Sequence, residues 1–215
     1  MSRSRLLFMI TFLLALLYGC QTKTSPIHDV NTKDQLEIAE QKPEYLTVKI
    51  LNDAMLGTIN YANRKLAVDP KYYENNEIKR GDIIYISSPK EFFSEGRPTT
   101  QLLRIVGLSG ERIRMYKGQL YIDGKKLISF YGNDMNNNLK KLKKELKDPD
   151  LENFQIENLK NRINYVEKEE NLEEQVIPDG QYFLLGDNRM FAIDSRMFGP
   201  ISKNEIIGKL IGELK

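Results

Sequence analysis

Gly180-Gln181-Tyr182-Phe183-Leu184-Leu185-Gly186-Asp187-Asn188-Arg189, continued by Asp194-Ser195-Arg196 and Phe198-Gly199-Pro200, reads as a strand running into a polar turn. The aromatic and aliphatic residues 182–185 favour a pleated, buried strand. Gly186 is expected to allow an unusual backbone angle, and Asp187 and Asn188 to bond nearby backbone. Arg189 and Arg196 present fork-shaped donors toward Asp187 or Asp194, so charge-assisted hydrogen bonds are expected to hold the turn. On these residues alone the segment is a structural buttress.

Working outward, strand signals fill residues 45–131. Leu46, Val48 and Ile50 alternate with Thr47 and Lys49, Gly81-Asp82 leads into Ile83-Ile84-Tyr85-Ile86, and residues 102–108 form an apolar run closed by Ser109-Gly110. Asp123-Gly124 between Tyr121-Ile122 and Lys125-Lys126-Leu127 predicts a tight hairpin. Residues 133–175 differ in kind. Leu139, Leu142 and Leu146, then Leu151, Leu159, Ile163 and Val166, recur at helical spacing, with Asp148-Pro149 between them as the expected cap and first turn of a second helix. The expectation is a mainly β domain over 45–215 carrying an inserted α-helical pair at 133–175. The insertion holds 8 basic and 11 acidic residues, which reads as a solvated face.

The opening segment closely resembles the C-terminal signature of bacterial type I signal peptidases, the serine endopeptidases of the S26 family. Further boxes fall into register. Lys79-Arg80-Gly81-Asp82-Ile83-Ile84 resembles the family's R-G-D-I/V segment, and residues 104–111 resemble K-R-V-I-G-L-P-G-D. Gly118-Gln119-Leu120-Tyr121-Ile122-Asp123-Gly124-Lys125 resembles the hairpin that follows. The resemblance implies a signal-peptidase-like β fold in which Gly186, Asp187, Asn188, Arg189, Asp194, Ser195 and Arg196 form the structural signature beside the catalytic pair.

The chemistry box departs from that pattern. The family's nucleophile lies in S-M-x-P-T-L, and the matching string here is Ala54-Met55-Leu56-Gly57-Thr58-Ile59. The resemblance puts Ala54 where the Ser stands, Leu103 where the general-base Lys stands, and Ala192 where a Ser helps orient the amine. A buried Lys serves as base because burial disfavours its charged form, and loss of a serine protease's nucleophile costs about a millionfold in turnover. The expectation is a catalytically inactive homologue. Thr58, Ser87, Ser88 and Ser109 have no Lys or His placed by motif to activate them, and Lys65, Lys79 and Lys90 read as surface residues. Asn52, Met55, Thr58 and Ile105 are the expected lining of a peptide groove, since strand addition needs no catalytic group.

Of the 215 residues, 32 are Lys or Arg and 30 Asp or Glu, so no global charge draws a polyanion. One Cys and one His leave no ligand set for a Cys-rich or multi-histidine metal site, and neither a metal nor a cofactor is expected. Arg3 and Arg5 precede a 12-residue apolar run at 6–17, followed by Gly19 and Cys20. As a helix this run reaches about 18 Å, short of a hydrocarbon core of about 30 Å. Leu17-Tyr18-Gly19-Cys20 resembles a bacterial lipobox, which implies a signal peptide over 1–19 and acylation of Cys20. The alternative is a short uncleaved anchor with an incidental Cys. Cleavage removes Arg3 and Arg5 from the 32 cations, leaving 30 of each sign. Residues 20–44 are read as a polar tether, with His28 solvated within it.

The functional expectation is a lipid-anchored protein at the extracytoplasmic face of a bacterial cell membrane. It binds peptide or protein segments in a secretion-related role, with no nucleic acid as partner. Two alternatives stay open: an active serine-type endopeptidase working through non-standard residues, and an inert scaffold whose helical insertion binds a partner.

Overall fold

The computed structural model describes residues 25–49, 52–59, 64–95, 99–133 and 138–215. In chain order the elements are β1 (Ile27–His28), β2 (Ile38–Ala39), β3 (Leu46–Val48), β4 (Lys65–Asp69), α1 (Tyr72–Asn75), β5 (Ile83–Ser87), β6 (Thr100–Gly107), β7 (Arg112–Tyr116), β8 (Gln119–Ile122) and β9 (Lys125–Ile128). They continue with α2 (Asn138–Glu145), α3 (Asn153–Glu169), β10 (Leu172–Val176), β11 (Gln181–Leu185), α4 (Ser195–Phe198), β12 (Ile201–Ser202) and β13 (Ile206–Leu214). The fold is mainly β with an inserted helical pair, as the sequence predicts.

Among the described residues the strands form two sheets. One has the order β12-β11-β6-β5-β13-β4-β3, with β2 added beside β13; the other runs β1-β9-β8-β7-β10. β6 is covered on both faces: Gln101 to Gly107 are all buried, with Gln101 and Arg104 the polar residues among them. Val106 of β6 and Phe183 and Leu185 of β11 pack with Ile113, Leu120 and Ile122 of the second sheet, joining the two. The predicted hairpin forms, with Asp123 at φ 49° and Gly124 at φ 72°, the doubly left-handed turn that matches strand twist.

The expected tether is a correction. Rather than running free, Ile27–His28 pairs in parallel with Leu127–Ile128, and Ile38–Ala39 pairs with Glu213–Leu214. Asp29 accepts hydrogen bonds from the Tyr131 hydroxyl and from Thr32, and Leu36 packs against the core. The segment caps sheet edges that otherwise present unpaired backbone groups. His28 is exposed on it.

The helical pair buries Leu142, Leu159, Ile163 and Val166, with Leu139, Leu146, Leu151 and Met190 packed alongside. Its second helix starts later than predicted. Glu152, not Asp148, is the N-cap, exchanging hydrogen bonds with Gln155 in a capping box. Residues 172–175, expected within the insertion, belong to the strand β10 on β7.

Candidate functional site

Ala54 sits in a short turn-rich segment between β3 and β4. It is 1% exposed, its N–H donates to Asn52 Oδ1 at 3.2 Å, and its carbonyl accepts from the Asn188 N–H at 2.9 Å. That second bond ties the segment directly to the signature turn. Asn52, one of the expected groove residues, turns its side-chain carbonyl to the Ala54 N–H.

Alternation along β6 divides its side chains. Leu103 and Ile105 face a cluster that also holds Ala54, Ile84, Ile86, Leu184 and Ala192, and all of these are buried. The three positions singled out from the sequence, Ala54, Leu103 and Ala192, are therefore brought into one apolar cluster. Gly186 belongs to the same junction. A Cβ there would lie 2.3 Å from Ala192 Cβ and 2.6 Å from the Ala54 carbonyl oxygen. Close approach of three backbones, rather than the predicted unusual angle, is what requires glycine; Gly186 is not among the residues at positive φ.

Arg104 points the other way. Its Nε donates to Asp187 Oδ1 at 2.8 Å and its Nη2 to Oδ2 at 2.7 Å, while Nη1 donates to the Gly81 carbonyl at 2.7 Å. The guanidinium lies 4.9 and 5.1 Å from the ring centres of Phe130 and Tyr131. The Thr58 hydroxyl donates to Asp187 Oδ2 at 2.5 Å and accepts from Arg104 Nη2 at 3.2 Å. Both ions are 1% exposed, so this bidentate geometry and its extra donors compensate the loss of water.

Asp194 holds the other end of the turn. It accepts from the Gly186 N–H at 3.0 Å, from the Arg196 N–H at 3.1 Å and from Arg196 Nε at 2.8 Å. Arg196 also reaches the Arg189 and Glu169 carbonyls, which fastens α3 to the turn. Burial alone works against its charge, yet Asp194 and Glu169 hold the Arg196 guanidinium above its ordinary pKa. Ser195 Oγ accepts from the Leu184 N–H at 2.9 Å. The pairing differs from expectation in one respect: Arg189 donates to the Tyr131 carbonyl at 2.7 Å, and Asp187 takes its cation from β6. Sequence reasoning missed Arg104 as that partner, 83 residues away, and missed Tyr131 and Asp29.

The expected groove lining is corrected too. Met55 and Ile105 are fully buried and Thr58 is 9% exposed, so none of the three offers surface to a ligand. Gln101, Leu102 and Leu103 are likewise at most 2% exposed, and Gln101 bonds the Ile193 carbonyl and Ser88 Oγ. Exposed apolar side chains flank the junction instead: Leu56 at 37% and Phe191 at 56%. Ser109 Oγ accepts from the Gly180 N–H, so neither Ser88 nor Ser109 is bonded to an amine. Cys20 lies outside the described residues. Among the described residues no group of three or more His, Cys, Asp or Glu is placed to hold a metal ion.

The sequence matches the profile of the family described as signal peptidase, peptidase S26, over residues 43–212, and the chain belongs to that family. It is 30% identical over 146 residues to signal peptidase IB of Staphylococcus aureus strain COL, spanning 68% of this chain and 65% of that protein. Thus the chain spans somewhat under two thirds of that relative's length. It is 27% identical over 163 residues to signal peptidase I V of Bacillus subtilis strain 168, spanning 70% and 82%. A crystal structure of a signal peptidase I from Enterococcus faecalis V583 shares 25% identity, covering 63% of this chain and 97% of that one, with a TM-score of 0.38.

Proposed function

We propose that this member of the family is catalytically silent and lipid-anchored through Cys20, and that it binds extended peptide or protein segments at the extracytoplasmic face of a bacterial membrane in a secretion-related role. One observation carries the reading: Ala54, Leu103 and Ala192 share a single buried apolar cluster. A Ser/Lys mechanism needs a hydroxyl and an amine within hydrogen-bond reach. Methyl and isobutyl groups at those places supply neither. Leucine packs there at no desolvation cost, whereas a Lys without its partners pays one.

Binding is assigned to the rim rather than the buried interior. Leu56 and Phe191 lie two and three residues from the Ala54–Asn188 hydrogen bond and offer apolar side chains to an extended segment. The test is fluorescence anisotropy of a labelled signal-peptide segment titrated with the mature chain. Saturable binding that weakens about tenfold or more in a Leu56→Asp, Phe191→Asp variant supports the assignment. Absence of saturable binding contradicts it.

Burial of Met55, Thr58 and Ile105 favours a second reading, an inert frame whose helical pair is the interaction site. Excising the helical pair separates the two. The first reading keeps peptide binding, and the second loses a co-purifying partner.

A further inference from the structure

The first helix of the insertion carries an exposed basic face. Leu139, Leu142 and Leu146 turn inward to the helical-pair core. Lys140, Lys143, Lys144 and, in the turn after α2, Lys147 recur at i, i+3, i+4 and i+7, so they form one stripe alongside the inward leucines, flanked by Lys141. All five are exposed. Lys143 is paired with Glu167 at 2.6 Å, both about half exposed. None of the other four is in an ion pair among the described residues. Glu145 is the one acid within α2, and Asp148, Asp150 and Glu152 follow in the next turn and loop. Between the lysines lies a shallow recess walled by Leu139 and the aliphatic stems of Lys140, Lys143, Lys144 and Lys147.

We propose that this stripe docks on anionic phospholipid headgroups, giving the domain a second contact with the bilayer. The chemistry fits on both counts. Ammonium tips on long apolar stems suit a surface where phosphates lie above a hydrocarbon floor. Such a surface attracts clustered basic residues even when the whole protein is neutral. The choice of a bilayer over other polyanions rests on the lipid-anchored reading above. Ile27 is pinned to β9, seven residues after Cys20. Seven residues span at most about 25 Å, which holds the domain at the bilayer and raises the local concentration of headgroups around it.

The test uses the chain from Gln21 onward, which contains every described element and carries no acyl group. It is sedimented with vesicles of phosphatidylcholine alone or of phosphatidylcholine mixed with phosphatidylglycerol. Binding to the mixed vesicles that weakens with salt is expected. Each lysine at such a surface is worth about fivefold. The Lys140→Gln, Lys143→Gln, Lys144→Gln, Lys147→Gln variant is therefore expected to lose roughly 600-fold, with an unchanged unfolding midpoint. The matching four-Arg variant keeps binding. Equal binding to neutral vesicles, undiminished binding by the Gln variant, or tighter binding to double-stranded DNA than to mixed vesicles overturns the proposal. Fatty-acid labelling of the full chain against Cys20→Ala tests the anchor separately, so failure of that reading is distinguishable from failure of this one.

Discussion

Arg104 and Asp187 form a bidentate ion pair at 2.7–2.8 Å with each side chain 1% exposed, joining the long strand β6 to the turn after β11. Thr58 shares Asp187, so one carboxylate fixes three parts of the chain that are far apart in sequence. Removing one partner leaves the other charge buried and uncompensated. Asp187→Ala is expected to destabilise the fold by about 3–5 kcal/mol in urea unfolding. An Arg104→Met, Asp187→Leu pair is expected to recover much of that loss. Equal losses in the single and double variants would show that the pair's charge is not what matters.

Gly186 sets the distance between the signature turn and the Ala54 segment. Gly186→Ala places a methyl 2.6 Å from a backbone oxygen, which has no rotamer to escape into. The expected cost is about 1–3 kcal/mol in thermal or urea unfolding. A stable Gly186→Ala protein would mean that the two segments part readily.

The N-terminal segment carries an acid-sensitive latch. Burial pushes the Asp29 carboxyl up, but hydrogen bonds from Thr32 and Tyr131 outweigh it and leave its pKa below the usual 3.8. A carboxylate depressed in the folded state contributes its stability above the unfolded pKa and loses it as pH falls through the folded one. Protection of the amides across residues 27–32, relative to the unstructured exchange rate at the same pH, is therefore expected to fall below about pH 4. In Asp29→Asn it should be lower at neutral pH and insensitive to that acid range.

Leu103 is fully buried among apolar neighbours. Leu103→Lys alone places an ammonium where no carboxylate or hydroxyl meets it. The expected result is a loss of several kcal/mol at neutral pH, partly recovered at high pH as the amine loses its proton. Chemical unfolding at pH 7 and pH 10 checks this. Adding Ala54→Ser and Ala192→Ser should recover part of the loss by supplying hydrogen-bond partners.

Local signals were legible wherever the physics is local. Asp123-Gly124 marks its hairpin because both residues take left-handed angles there. Leu142, Leu159, Ile163 and Val166 mark the helical pair by spacing alone. β13 gives a weaker signal because Gly208 and Gly212 interrupt its alternation. Each is needed where another backbone passes, since Cβ atoms there would lie 2.6 Å from the Asp69 oxygen and 2.3 Å from the Glu37 oxygen. The two-residue strands β1 and β2 carry no periodicity at all, so a polar composition reads as a tether although edge pairing holds it down.

At the site, the apolar character of residues 54, 103 and 192 was readable position by position from the resemblance. Burial of Met55, Thr58 and Ile105 was not, because it depends on partners distant in sequence: Met55 packs with Leu66, Val68, Ile83 and Leu102, Thr58 bonds Asp187, and Ile105 packs with Leu184 and Ala192. The Arg104–Asp187 pairing is equally non-local, and an Arg next to Asp187 in sequence, Arg189, was the natural but incorrect partner.

The central claim is that this frame keeps the family's architecture without its chemistry. The most direct measurement is cleavage of a signal-peptide substrate by the chain from Gln21 onward, beside a variant carrying Ala54→Ser, Leu103→Lys and Ala192→Ser. The account predicts no turnover above background for the natural chain and measurable cleavage by the variant. Turnover by the natural chain, lost on no substitution at these three positions, would contradict it.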